Sequence, residues 1–324
     1  MALKIIVMGT GPFAVPSFEA LRRSEDTIIA VVTKPEPPVK SRKGPPPAPV
    51  RTWANEHSLP IFDPVSINED AAVEQLQLWS PDLLVVCDYG HILKPAALES
   101  ARLGGINLHG SLLPAYRGAA PVQRALLSGD PITGVSVIHM TPRLDGGPIL
   151  AKATTEIQPD ETSGELEERL SSLGVDLVVD SIETLRHWDG ETAIGETQDA
   201  TKVTRAPRLH KREAHIDWGW DRSKIDCHVR GMQPWPIAYT EIQLRQGKPP
   251  QRIAVLRVSP VEGDVAELQP GQVTGDQELI VCCGDGLLRL DEIRPAGKNQ
   301  MSGEQWLRGH QLKRGSTFSA PIDS

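Results

Sequence analysis

The chain has 324 residues, a formal net charge of −8 and 39% hydrophobic residues. This length predicts about two domains, each large enough to bury a core without disulfides. The negative charge argues against nucleic-acid binding by the whole surface, but it leaves a local basic patch open. The four cysteines are scattered without a Cys-x-x-Cys motif, which predicts reduced thiols and no zinc site.

The amino terminus runs directly into the apolar stretch Ile5-Ile6-Val7, so no signal peptide is predicted. No apolar run is long enough to span a bilayer, so no membrane association is expected. With the reduced cysteines, these features predict a cytoplasmic protein.

The chain opens with a predicted strand, helix and strand at residues 4–9, 16–23 and 28–33. Gly9, Gly11 and Ala14 follow the first strand and match the G-x-G-x-x-A dinucleotide fingerprint. Pro12 removes an amide that a pyrophosphate would need, and no acidic residue closes the second strand. These features favour a tight turn near a ligand over a nicotinamide site.

A proline-rich loop is predicted at residues 34–51, because prolines exclude a helix or a central strand there. Lys40, Arg42 and Lys43 lie in its middle. Long loops within compact domains are usually functional or disordered. The composition alone favours a solvated linker, and the alternative is a basic finger that binds a polyanion.

Several polar side chains follow predicted buried strands. Tyr89 and Gly90 come after a strand at 83–87, Asn107 and His109 lie on a strand at 106–109, and Asp145 follows one at 134–139. Because ligands bind beyond the carboxyl ends of strands in open α/β sheets, these side chains are expected to converge.

Asn107 and His109 point to the same side of their strand, since strand side chains alternate. A paired amide and imidazole suit acyl transfer, which needs hydrogen bonds to an oxyanion and a group that passes protons. On these two residues alone, a turn asparagine and a hydrogen-bonded core histidine are the favoured explanation. The convergence with Asp145 carries more weight than either residue.

The alternation of strands and helices predicts an α/β, Rossmann-like domain with a mostly parallel sheet over residues 1–188. Residues 189–204 are polar and predict a linker. Short strands and glycine turns predict a small β-barrel over residues 205–324. Arg205, Lys211 and Arg212 belong to a basic surface there, which suits nucleic acid or simply a soluble face.

The segments INLHGSLLPAYRGAAPVQRAL and GVSVIHMTPRLDGG resemble the folate-dependent formyltransferases. The stretches MGTGPFAVPSFEAL, VVCDYGHILKPAALE, IDW, PWP and RPAGK extend the resemblance over nearly the whole chain. The RGAAPVQRAL segment, the loop at 34–51 and the trailing β domain are most similar to the branch that formylates methionyl-tRNA.

The resemblance implies a reaction and a set of site residues. The formyl group of 10-formyltetrahydrofolate would pass to the α-amine of methionyl-initiator tRNA, giving N-formylmethionyl-tRNA and tetrahydrofolate for translation initiation. No metal is implied, the second domain would be OB-like, and a monomer is expected. The implied catalytic residues are Asn107, His109 and Asp145. The implied folate neighbours are Ser111, Leu112, Leu113, Pro114, Tyr89 and Gly90. The implied tRNA contacts are Phe13, Lys40, Arg42, Lys43, Arg205, Lys211 and Arg212.

Two departures from the family pattern fall on the implied amine and pterin pockets. The family commonly has Thr-Pro-Asp-Phe where this chain has Thr10-Gly11-Pro12-Phe13. It commonly has alanine where this chain has Asp88. The alternatives are another 10-formyltetrahydrofolate-dependent enzyme, acting on a sugar amine or glycinamide ribonucleotide, and a nucleotide-binding dehydrogenase or non-catalytic RNA-binding protein.

Overall fold

The computed structural model describes residues 1–36, 48–245, 247–275, 277–310, 312 and 315–319. The chain forms two compact units. The first comprises Met1–Pro121, Ile132–Glu156 and Leu166–Pro207, and the second comprises Val122–Pro131, Ile157–Glu165 and Arg208–Ser324. Residues 189–204, predicted as a linker, therefore fold with the first unit.

The helices and strands follow one another closely along the chain. In order they are β1 (Lys4–Met8), α1 (Val15–Arg23), β2 (Thr27–Val32), α2 (Pro49–Glu56), β3 (Ile61–Phe62), α3 (Asp70–Trp79), β4 (Leu83–Cys87), α4 (Pro95–Leu98), β5 (Gly105–His109), β6 (Arg117–Gly118), α5 (Pro121–Leu127), β7 (Ile132–His139), β8 (Ile149–Glu156), α6 (Ser163–Arg186), β9 (Arg205–Ala206), α7 (Arg222–Gly231), β10 (Tyr239–Ile242), β11 (Gln251–Val261), β12 (Ile280–Cys283), β13 (Gly286–Pro295), β14 (Met301–Ser302) and α8 (Gly303–Arg308). Short 3₁₀ helices cover Pro12–Ala14, Ala200–Lys202 and Lys211–Ala214.

The first unit contains a sheet with the strand order β3-β2-β1-β4-β5-β7-β8. The pairs from β3 to β5 are parallel, whereas β5–β7 and β7–β8 are antiparallel. Every residue of β4 is buried, as expected for a parallel strand covered on both faces. The predicted mostly parallel sheet is confirmed, and the carboxyl ends of β1, β2, β4 and β5 share one edge.

The second unit contains an antiparallel sheet with the order β10-β11-β13-β12, and β14 pairs with β13. The predicted β architecture is confirmed. The helices α7 and α8 were not predicted, although each has a capping residue. The Asp221 side chain accepts a hydrogen bond from the Lys224 amide at 2.9 Å, and Ser302 accepts one from the Gln305 amide at 3.1 Å.

Among the described residues, no helix combines the length and apolar character that a membrane crossing needs. The four cysteines are free, and three of them are buried. Burial raises the pKa of the Cys87 thiol well above its ordinary value. This thiol is therefore held in its unreactive protonated form.

One buried histidine in the second unit is held in a surrounding that disfavours charge. His228 lies in α7 with 5% of its surface exposed, and its ring meets Trp220 edge-on at 5.1 Å. Its Nε2 has no hydrogen-bond partner among the described residues. Burial lowers the pKa of His228 from 6.5 to about 4. The unfolded chain therefore binds a proton at His228 more readily than the folded chain does.

We predict that His228 makes the fold acid-sensitive. Its contribution to stability is present above pH 6.5 and is lost as the pH falls toward 4, since protons then favour the unfolded chain. The full difference corresponds to ~3 kcal/mol. Urea unfolding at pH 7 and pH 4.5 should show a smaller acid loss for His228→Leu than for the parent. The exposed His187 provides the control, because its ring lies 3.0 Å from Glu183 and His187→Leu should therefore not reduce the acid loss. An equal acid loss in both variants would contradict the prediction.

Candidate active site

Asn107 and His109 lie on one face of β5, between β4 and β7 in the sheet. On the other face, Leu108 packs against α6 so closely that a Cβ on Gly174 would lie 2.6 Å from it. His109 is buried, whereas Asn107 is half-buried. The alternation predicted from the sequence therefore places an amide and an imidazole side by side on one surface.

The imidazole of His109 lies between two acceptors. Its Nε2 is 2.9 Å from the carbonyl oxygen of Tyr116, and its Nδ1 is 4.0 Å from Oδ2 of Asp145. The neutral ring has one N–H group, so only the protonated ring can donate toward both acceptors. The 4.0 Å separation is longer than a direct hydrogen bond. The carboxylate thus faces the ring without a direct bond to it.

The loop that brings Asp145 to His109 starts at an end of the sheet that was not predicted. Because β7 is antiparallel to β5, its last residue, His139, pairs with Ile106 near the start of β5. The expectation that Asp145 follows a carboxyl end at the shared edge was therefore wrong, although the predicted convergence with His109 is present. The loop after β7 returns toward His109, and Gly147 in it passes so close to the His139 carbonyl that a side chain would clash.

The Asp145 carboxylate is held by backbone geometry. Its Oδ2 accepts a hydrogen bond from the Gly118 amide at 2.9 Å. Asp145 itself has a φ of 47°, in the left-handed region that aspartate tolerates better than most residues. Gly118 has a φ of 132°, and a Cβ there would lie 2.5 Å from the Ala206 carbonyl. Glycine is therefore required at the position that holds the carboxylate.

Two residues behind Asp145 were not identified from the sequence. The Nε2 amide of Gln198 donates to the carbonyls of Asp145 at 2.8 Å and Gly147 at 2.7 Å. Its Oε1 accepts bonds from Arg117 Nε at 3.1 Å and Nη2 at 2.6 Å. Gln198 lies in the polar stretch predicted as a linker, and a single glutamine in such a stretch carries no sequence signal.

Positive charge surrounds this network. Burial lowers the pKa of Arg117, and the neighbouring guanidinium groups of Arg143 and Arg205 lower it further, against the opposing effect of Asp145. Arg143 and Arg205 are exposed. Arg205 lies on β9, which pairs with β6, so this predicted tRNA contact is close to the loop that holds Asp145. This part of the first unit suits an anionic ligand.

The predicted folate segment Ser111–Pro114 forms an ordered turn after β5. The hydroxyl of Ser111 donates to the Ala115 carbonyl at 2.7 Å, and the Leu113 amide donates to Ser136 Oγ at 3.1 Å. The Leu113–Pro114 peptide bond is cis. Ser111 and Leu113 are buried, so Leu112 and Pro114 are the half-exposed side chains of this segment.

The remaining predicted contacts at the sheet edge are largely enclosed. Tyr89 is 2% exposed, and burial raises its pKa to about 12. Gly90 has a φ of 70°, and a Cβ there would lie 2.8 Å from Lys34 Nζ. Phe13 is buried in the 3₁₀ helix after β1. Tyr89 and Phe13 therefore pack beneath the carboxyl edge of the sheet, and little of either side chain is exposed at its surface.

Gly11 and Asp88, which depart from the family pattern, are in close contact. A Cβ on Gly11 would collide with Oδ2 of Asp88, and a Cβ on Gly9 would lie 2.7 Å from the Cys87 carbonyl. The Thr10 amide and hydroxyl both donate to the Asp88 carbonyl, at 3.1 and 2.6 Å. The glycines thus allow close packing of the β1 turn on the end of β4. The Asp88 carboxylate would repel a bound pyrophosphate. The glycines at 9 and 11 are therefore explained by close packing and not by a dinucleotide site.

Five further predicted tRNA contacts lie in the second unit or outside the described residues. Lys40, Arg42 and Lys43 fall outside the described residues. Lys211 and Arg212 are exposed on the 3₁₀ helix Lys211–Ala214 of the second unit. The described part of the first unit therefore brings together Asn107, His109, Asp145 and Arg205.

Comparison with known proteins assigns the chain to a family. Residues 3–182 match the model of the formyl transferase family, and residues 208–311 match that of the formyl transferase C-terminal domain. A methionyl-tRNA formyltransferase from Rhodopirellula baltica is 56% identical over 99% of this chain and 98% of its own length. The enzyme of that name from Methylococcus capsulatus is 39% identical over 96% and 98%. An N-formyltransferase from Helicobacter canadensis shares the fold, with a TM-score of 0.65, 15% identity and coverage of 89% of this chain and 98% of that one. The chain belongs to the methionyl-tRNA formyltransferase family.

Proposed function

We propose that the chain transfers the formyl group of 10-formyltetrahydrofolate to the α-amine of methionyl-initiator tRNA, yielding N-formylmethionyl-tRNA and tetrahydrofolate for translation initiation. The observation that carries the proposal is the placement of Asn107 and His109 on one face of β5, with the Asp145 carboxylate 4.0 Å from the imidazole. Relatives named methionyl-tRNA formyltransferase, which cover 99% and 96% of the chain, support the choice of acceptor.

In the proposed reaction, the neutral α-amine attacks the formyl carbon and a new C–N bond forms. The formyl oxygen then becomes an oxyanion, which the Asn107 amide and the Nδ1–H of the His109 ring stabilise by donating hydrogen bonds, since Nε2 faces the Tyr116 carbonyl. The attacking nitrogen gives up a proton, and the bond between the formyl carbon and N10 of the folate breaks as N10 takes up a proton. Holding both substrates beside β5 supplies much of the remaining acceleration.

The surroundings of His109 support its role as the group that moves the proton. The Tyr116 carbonyl orients the ring through its contact with Nε2, and the Asp145 carboxylate faces Nδ1 at 4.0 Å. Asp145 relays protons to and from the ring through a bridging water, since 4.0 Å exceeds a direct hydrogen bond. Its carboxylate keeps its position because the Gly118 amide donates to it.

The substrate contacts remain proposals. Ser111, Leu112, Leu113, Pro114, Tyr89 and Gly90 would border the folate. The exposed guanidinium of Arg205 supports a phosphate contact beside the catalytic residues. Phe13, Lys40, Arg42, Lys43, Lys211 and Arg212 complete the proposed tRNA contacts. The expectations of a monomer and of a cytoplasmic location stay predictions.

We predict that Asn107→Ala and His109→Ala each lower kcat for tRNA formylation by roughly 10²- to 10³-fold, because each removes an oxyanion donor. The measurement is transfer of labelled formyl to methionyl-tRNA at saturating substrates. His139 is a matched control, since it lies on the neighbouring β7 and its Nε2 is 2.9 Å from the Leu103 carbonyl. His139→Ala should cost stability but leave kcat near the parent value. Parent-like transfer by folded His109→Ala would refute the proposed mechanism.

We predict that Arg205→Ala and Arg42→Ala weaken productive tRNA binding and flatten its salt dependence. Each substitution should raise KM for tRNA and reduce the slope of log affinity against log salt by about 1, because one phosphate contact is lost. Arg102→Ala is the control, since this exposed arginine pairs with Asp82 just before the amino end of β5, whereas His109 is at the carboxyl end. An unchanged salt slope in Arg205→Ala would remove this residue from the tRNA contacts.

A competition between amine acceptors tests the proposed function itself. The chain should formylate charged initiator tRNA in preference to an amino-sugar nucleotide or glycinamide ribonucleotide, each supplied with 10-formyltetrahydrofolate. The alternative acceptors would use the same Asn107, His109 and Asp145. Preferential formylation of either small acceptor would establish the alternative function.

A further inference from the structure

Gln198 connects the loop that carries Asp145 to a buried arginine. Its side-chain amide spans two carbonyls of this loop, those of Asp145 at 2.8 Å and Gly147 at 2.7 Å. Arg117, which is 8% exposed, donates two hydrogen bonds to the other end of the same side chain. The arginine therefore fixes which end of the amide faces the loop, because a guanidinium can only donate.

Asp145 needs such support because its backbone is in the left-handed region, with φ at 47°. The backbone holds the carboxylate through a hydrogen bond from the Gly118 amide. Gly118 and Arg117 are neighbours on β6, so one two-residue strand supports Asp145 both directly and through Gln198. Arg117 acts through Gln198 on the carbonyls, and Gly118 acts directly on the carboxylate.

The segment that supplies Gln198 is itself anchored to the first unit. The Tyr116 and Arg117 amides donate to Oγ1 and the carbonyl of Thr204, at 2.8 and 2.9 Å. The Glu196 and Ile149 backbones exchange two hydrogen bonds of 2.8 Å. Gln198 lies between these two attachments, so its backbone is held as well as its side chain.

We propose that Gln198 is a positioning residue for formyl transfer, which acts through Asp145 by holding its left-handed backbone and so the distance from its carboxylate to His109. This inference rests on the proposed function and assigns a role in it to a residue outside the motifs of the family resemblance. The hydrogen bonds of the Gln198 side chain go to the Asp145 loop and to Arg117, so its effect on the reaction passes through Asp145. It contributes to the rate and not to the binding of either substrate.

The first test is steady-state formylation by Gln198→Leu and Gln198→Glu. Both should lower kcat by about 10- to 100-fold, with each KM within about twofold of the parent, because small displacements of catalytic groups cost this much. Glutamate keeps an acceptor for Arg117 but cannot donate to the two carbonyls. Parent-like kcat in Gln198→Glu would overturn the proposal, since the bonds to the loop would then be dispensable.

A double variant tests whether Gln198 acts through Asp145. Asp145→Asn keeps a residue that tolerates the left-handed region but removes the charge. If the proposal is right, Asp145→Asn with Gln198→Leu is no slower than Asp145→Asn alone. Full multiplication of the two losses would overturn it, because Gln198 would then act by another path.

Gln233 provides a matched control in the second unit. Its side-chain amide also spans two carbonyls, those of Val229 at 3.0 Å and Leu256 at 2.8 Å. Gln233→Leu should lower the melting temperature and leave kcat near the parent value. An equal loss of kcat in Gln233→Leu and Gln198→Leu would show a general packing effect and overturn the proposal. A parent chain that fails to formylate methionyl-tRNA would instead refute the proposed function.

Discussion

The position of one carboxylate, that of Asp145, is the constraint on which the candidate site depends. His109 and Asn107 are placed by a regular strand, whose alternation and pairing fix them without further help. Asp145 has no such support, because it lies in a loop that starts at the opposite end of β5. Its 4.0 Å approach to His109 therefore depends on contacts with β6 and with Gln198.

The sheet explains why Asn107 and His109 lie in buried surroundings. The strands β4 and β5 are buried runs that pair in parallel, with Val86 beside Asn107 and Cys87 beside Leu108. Leu108 and α6 close the opposite face of β5. The first residue beyond β4 is Asp88, which packs against Gly11. The carboxyl edge thus carries its own negative charge where other proteins with similar glycine turns bind phosphates.

Local sequence patterns were sufficient to predict the buried strands and the direction of their side chains. The apolar runs predicted β4 and β5, and the alternation of side chains along a strand predicted that Asn107 and His109 share a face. The antiparallel direction of β7 was not predictable, because strand direction depends on pairings between distant residues. Gln198 was equally hidden, since it acts on Arg117 across 81 positions and neither residue repeats a pattern. The short helices α7 and α8 were missed because glycine turns and apolar runs dominate that half, although their capping residues were visible.

The energies involved explain why the Asp145 loop needs several hydrogen bonds. A non-glycine residue in the left-handed region costs roughly 1–2 kcal/mol. A neutral hydrogen bond contributes about 0.5–1.5 kcal/mol, and a bond to a charged group contributes about 1.5–3 kcal/mol. The single bond from Gly118 would leave the native backbone of Asp145 only slightly favoured. The two bonds from Gln198 increase the free energy that favours the native loop conformation. Arg117 prevents the Gln198 amide from flipping, because it donates to Oε1. The residues that set the carboxylate's distance from His109 are therefore these three as well as Asp145 itself.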